Sequence, residues 1–157
     1  MSNELTFYQS YHKNYYNQLI HVVGIPSIVW AVFLYTHRFK TWFGKGSTIL
    51  YSLYMLKYYQ VDKSRFLRIA LFYYILLRNS FNKYSSLNRN DSRNLSIKVF
   101  SLGWILQFIG HGLFEKKAPA LLNGFTKSIT IGPYFAYKHL EENIFSLKLS
   151  IENMLHP

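Results

Sequence analysis

The feature that most constrains this chain is a pair of uninterrupted apolar runs. Residues 19–36, LIHVVGIPSIVWAVFLYT, are 18 positions without a formal charge, and residues 99–114, VFSLGWILQFIGHGLF, are 16 more. The first just reaches the length of a helix that crosses a bilayer. Charged residues make up 16% of the 157, against about 25% in ordinary soluble domains. The expected fold is therefore all-α, a multi-pass membrane bundle of four or five apolar helices forming one domain over residues 1–157. The net charge of +11 raises nucleic acid as a partner, but the basic residues lie in the gaps between apolar runs and form no stripe for a phosphate backbone. No nucleic-acid partner is expected, and the pattern specifies no oligomeric state. There is no cysteine, so disulfides and thiolate metal sites are excluded.

Between the long runs lie two shorter ones, residues 46–56 and 66–77. Each is read as a short span, half of a re-entrant hairpin or an interfacial helix, with Arg68 snorkelling near an end. Pro26 predicts a kink in the first helix. Residues 79–95, rich in Asn, Ser and basic side chains, read as a polar loop dispensable for chemistry. Gly103, Gly110 and Gly112 read as close-packing positions between helices. In the last twenty residues, Leu140, Ile144, Leu147, Ile151 and Leu155 recur at steps of three and four, an amphipathic helix.

Topology brings distant residues together. If the two short segments both cross the membrane, or neither does, the run 99–114 returns to the side from which 19–36 started. His12 and His21 then share a membrane face with His111 and Glu115. His111 and Glu115 are four apart, on one helical face, and Gln107 extends that polar line one turn upstream. Ionisable groups in an apolar setting are costly without partners and are functional by default. The alternative is a histidine bonded to a carbonyl and a glutamate capping a basic cluster. His12 and His21, nine apart, converge only if the chain turns between them, and NYYN at 14–17 is the expected turn. Nitrogen and oxygen ligands without sulfur suit iron, manganese or zinc, and two histidines with a carboxylate suit non-haem iron(II). Lys116 and Lys117 either bind a substrate carboxylate or acidic headgroup, or form the positive flank that stops the helix. His37 reads as loop and His156 as without a role.

The block FYQSYHKNYYNQLIHVVGIP at 7–26, with WILQFIGHGLFEKKAPAL at 104–121 and PYF at 133–135, resembles the Mpo1-like family (DUF962). The resemblance implies a multi-pass membrane protein of the endoplasmic reticulum. It also implies an iron(II)-dependent dioxygenase that uses O2 to shorten 2-hydroxy fatty acids by one carbon, as in α-oxidation of phytosphingosine-derived chains. The family's motif histidines fall on His12, His21 and His111 and its motif glutamate on Glu115, with Fe(II) as the cofactor. Gln107 is assigned a supporting hydrogen bond behind the ligands. Residues 38–95 match the family only in general hydrophobicity. Where the family often has an acidic residue after PYF, this chain has His139, followed by Glu141 and Glu142, so the fourth ligand is Glu115, His139 or water. The rival reading is a non-catalytic membrane protein that binds lipid or a partner.

Overall fold

The computed structural model describes residues 14–42, 44–115 and 121–155, with side chains throughout except at 121–128. The fold is helical, as expected, with five α-helices among the described residues. They are α1 (Tyr15–Thr36), α2 (Gly46–Val61), α3 (Phe66–Ser86), α4 (Arg89–Gly110) and α5 (Leu121–Leu155). A π turn, His111–Glu115, extends α4. A two-stranded antiparallel hairpin, β1 (Lys40–Thr41) and β2 (Gly44–Lys45), links α1 to α2. Two helical stretches, Tyr15–Thr36 and Arg89–Glu115, are long and apolar enough to cross a membrane.

α1 lies at the centre and presents two different faces. Ile25, Val29 and Phe33 enter an aromatic-rich core with Met55 and Tyr58 of α2, Ile69 and Tyr73 of α3, and Ile131, Tyr134 and Phe135 of α5. The other face meets α4, whose buried residues are Ser92, Ser96, Gly103, Gln107 and Gly110. Its large apolar residues, Ile97, Leu102, Ile105, Phe108 and Leu113, point outward. The two helices run antiparallel and their backbones nearly touch. A Cβ on Gly103 would meet Ile28 and, at 3.1 Å, the Gly24 carbonyl oxygen, while one on Gly110 would collide with Asn17. Gly112 departs from the expected packing role, because a Cβ there would meet nothing within 4 Å.

Side-chain ties set the remaining directions. Trp30 donates to Asn79 (2.8 Å), and the His37 ring packs edge-on against Phe81 and at a tilt against Tyr84, so α3 runs parallel to α1. Tyr51 donates to the Ala70 carbonyl (3.0 Å) and Tyr59 packs on Phe66, so α2 runs back along α3. The two shorter segments thus form an out-and-back pair, and α4 starts at the end where α1 finishes. Pro133, inside α5, has no N–H for the carbonyl four residues earlier. Tyr54 supplies the missing donor, 3.1 Å from the Ile129 oxygen.

Three expectations are corrected. Residues 79–95 are not a loop: 79–86 finish α3, 89–95 begin α4, and Leu87 and Asn88 alone connect them. Asn88 caps α4 by accepting from Asp91 N (2.9 Å). The stretch looked coreless because its inward positions are small and polar, Ser80 and Ser92. Removing it would delete parts of two packed helices. NYYN is likewise no turn: Asn14 caps α1, accepting from Tyr16 N and Asn17 N, and the helix begins at Tyr15. His37 is no loop residue but a buried cap on α1, with Nδ1 2.9 Å from Ser47 Oγ. Burial, and Lys45 beside it, push its pKa down.

At the end of the bundle where α1 and α3 begin, an ion network fastens α5. Asp62 accepts from Ser64, Arg65 and Tyr134, and Arg65 bridges Asp62 (2.9 Å) to Glu141 (2.8 Å). Burial raises the Asp62 pKa, but these donors outweigh it and hold the carboxyl well below the usual carboxylate range. A depressed folded pKa means the contribution is complete above the unfolded value and is lost only as pH falls through the folded one. Asp62→Asn should therefore lower the unfolding temperature near neutrality and flatten its decline in acid, as followed by circular dichroism. Gly103→Val should cost about 1–3 kcal/mol by forcing α1 from α4. Gly112→Ala in the same thermal unfolding assay should be close to neutral.

Candidate metal centre

Every residue of the expected polar line on α4 faces α1. Gln107 lies against Gly24, His111 against His21, and Glu115 against Asn17 and Asn14. His21 and His111 are both buried, with their Nε2 atoms 3.2 Å apart and their rings edge to face. The expectation that residues 90 positions apart meet at one end of the bundle is realised through the antiparallel α1–α4 seam.

The ring of His21 is oriented by its own helix. Its Nδ1 lies 2.7 Å from the Asn17 carbonyl oxygen. A carbonyl only accepts, so Nδ1 carries the proton and Nε2 keeps a lone pair directed at His111. Asn17 also donates from its side chain to Glu115 Oε1 (3.3 Å), and the same oxygen accepts from the Asn14 backbone N–H (2.8 Å). Glu115 thus caps α1 from another helix, at the positive end of its dipole. The sequence signal for Asn14 and Asn17 is the NYYN stretch, whose asparagines serve here as a helix cap and a carboxylate partner and not as a turn.

This donor set fits a divalent metal. Two nitrogens bound to one ion at about 2.1 Å lie about 3.0 Å apart at a right angle and about 3.4 Å apart at the tetrahedral angle. The observed 3.2 Å falls between. The Nδ1–H to carbonyl bond is the usual support of a ligating imidazole. Among the described residues, no three His, Cys, Asp or Glu form a group able to hold a metal.

The other candidates are placed differently. His12, Lys116 and Lys117 lie outside the described residues, as does His156. Gln107 is buried, but its amide nitrogen has no hydrogen-bond partner among the described residues. His139 sits on α5 with Nδ1 3.5 Å from Glu142 and its ring against Phe135. Glu141 is engaged by Arg65 and Arg68.

Two apolar helices of this chain thus converge on a pair of buried histidines, one of them oriented by a carbonyl. The comparisons make the family specific. Residues 1–144 match the model of the family described as 2-hydroxy-palmitic acid dioxygenase Mpo1-like, and the chain belongs to that family. It is 33% identical over 140 residues to the Saccharomyces cerevisiae protein named 2-hydroxy-palmitic acid dioxygenase MPO1, covering 86% of this chain and 76% of that one. No solved structure matches.

The cap that Glu115 places on α1 is directly testable. Glu115→Ala should cost about 0.5–2 kcal/mol, as loss of a helix cap does, and should speed hydrogen exchange of the Asn14 amide. Glu115→Gln, which keeps an acceptor oxygen, should largely preserve protection.

Proposed function

We propose that the chain is an iron(II)-dependent dioxygenase that shortens 2-hydroxy fatty acids by one carbon, working in the endoplasmic reticulum membrane as a multi-pass protein. The observation that carries this reading is the His21–His111 pair, with Nε2 atoms 3.2 Å apart and one ring committed by the Asn17 carbonyl. Family membership supports the chemistry, and the name of the yeast relative supports the substrate class.

His21 and His111 would hold the metal, and His12, three residues before the start of α1, is proposed as the third nitrogen ligand. Glu115 either supplies an oxygen or acts through Asn17 and the first turn of α1. Fe(II) held there would supply the Lewis-acid and O2-activating chemistry that oxidation of a 2-hydroxy acid requires. The reaction balances without another reductant: RCH(OH)COOH and O2 give RCOOH, CO2 and H2O. The substrate supplies all the electrons, and the bond broken joins its carboxyl carbon to its 2-carbon. Lys116 and Lys117, directly after the π turn, are proposed to draw the substrate carboxylate to the site. The seam excludes bulk water through the close α1–α4 contact, and the acyl chain runs among the apolar side chains of the bundle.

Membrane placement is supported by the inverted character of α4, small and polar inside and apolar outside. A soluble helix has the opposite arrangement.

The test is anaerobic purification in detergent, metal analysis, and turnover of 2-hydroxypalmitate with O2, followed by product chromatography. Stoichiometric iron and a fifteen-carbon acid are expected. His21→Ala and His111→Ala should lose both. Glu115→Gln should lose most iron affinity if Glu115 is a ligand, and roughly ten- to a hundredfold if it acts from behind the ligands. A folded wild-type protein that binds lipid but neither holds iron nor consumes the acid would establish the non-catalytic alternative.

A further inference from the structure

The end of the bundle opposite the histidine pair carries cations with almost nothing to balance them. α1 finishes there, α4 starts there, and the β1–β2 hairpin crosses from α1 to α2. On α3 and α4 every exposed residue from 78 to 94 is polar. The cations of this stretch are Arg78, Lys83, Arg89 and Arg93, and its sole acid is Asp91, which is already engaged by the Asn88 amide (2.7 Å). Arg38, Lys40 and Lys45 lie on and beside the hairpin. None of these cations has an ion-pair partner among the described residues, whereas Asp62, Arg65, Arg68 and Glu141 are paired at the other end.

The hairpin cations are placed at a cost to the fold. Lys40 and Lys45 are cross-strand partners, and like charges directly opposite each other repel. Lys45 is also the N-cap of α2, whose first turn holds no acid, so a cation stands at the positive end of that helix dipole. Nothing within the described residues relieves either conflict, and an anion outside them would relieve both. Between the two strands Trp42 is 97% exposed, and Phe39 beside them is 48% exposed.

We propose that this end of the bundle is a docking surface for the headgroups of anionic phospholipids in the membrane that holds the chain. The proposal rests on the membrane placement argued above and is independent of the chemistry at the histidines. Two features select lipid over an acidic protein or a nucleic acid. The large apolar residues exposed on α3 stop at Ile75 and those on α4 begin at Ile97, so the cations start where the lipid-facing surface ends. Trp42 stands with them, and an indole is favoured at headgroup level, where its ring meets apolar chains and its N–H meets polar groups. Lysine and arginine at that level are drawn to an anionic leaflet. A single-stranded nucleic acid would need aromatic platforms among the cations, and no aromatic is exposed from 78 to 94.

The test uses the full chain in detergent micelles that contain equal amounts of phosphatidylserine and phosphatidylcholine. The protein is recovered and its bound lipids are separated by chromatography. Phosphatidylserine is expected in about fivefold excess at about 0.1 M salt, and the excess should vanish at about 1 M, where screening shortens to about 3 Å. The double variant Lys40→Glu, Lys83→Glu should bring the ratio close to one. Lys40→Glu faces Lys45 across the hairpin, so it replaces a repulsive pair by an attractive one and leaves the fold intact. Lys63→Glu with Lys148→Glu changes the net charge equally at residues outside the basic end and should keep the excess. Equal retention of the two lipids by the unmodified chain, or equal loss of preference in both double variants, overturns the proposal. A chain that stays in solution without detergent overturns the membrane placement together with it. A chain that requires detergent but shows no preference overturns this proposal alone and leaves the cations for an acidic protein.

Discussion

The close approach of α1 and α4 is the contact on which the rest depends. Gly24 and Gly103 let two backbones come together where any side chain would hold them apart, and Gly110 does the same for Asn17. One turn beyond the glycines, that proximity brings the His21 and His111 nitrogens within 3.2 Å. One turn further, it lets a carboxylate on one helix serve the first turn of the other. Small residues at a seam permit this packing wherever apolar side chains gain little from meeting each other. The other face of α1 is organised differently, by Phe33, Tyr58, Tyr73 and Phe135 in a bulky aromatic core. A single helix thus divides the molecule into a stiff aromatic half and a thin, polar-lined half, and the candidate chemistry lies in the second.

Much of the arrangement was legible in the sequence, for identifiable reasons. Charge-free runs announced α1 and α4, and counting crossings placed His21 and His111 at one end. The spacing of Gln107, His111 and Glu115 predicted their common face. What stayed hidden was local structure whose inward residues are not hydrophobic. The segment 79–95 forms two helical turns on either side of Leu87 and Asn88, but it buries serines, which leave no mark on an apolar periodicity. Asn14 and Asn17 illustrate a different limit, since the residues that favour turns also favour helix caps. The partner that decided between them, Glu115, is about a hundred positions away. The Asp62–Arg65–Glu141 network was invisible for the same reason: its members become neighbours only after α5 packs along α3.

His37 shows how one cap organises the opposite end. It closes α1, bonds to Ser47 at the start of α2, and is enclosed by Phe81 and Tyr84 near the end of α3. Three helices thus converge on one imidazole, far from the paired histidines. Buried histidines therefore occupy both ends of α1, yet their settings are unlike. At one end the ring is wrapped by aromatics and a hydroxyl. At the other, two rings present nitrogens to each other.

The π turn at His111–Glu115 gives the site an unusual kind of tolerance. Such a turn accommodates one residue more than an α-helix would, through i to i+5 bonding. Deleting a single residue between His111 and Glu115 would let the turn tighten to α-helical bonding. The turn therefore buffers a change in length: Glu115 would stay near the face it shares with His111, where the same deletion in a regular helix would swing it by about 100°.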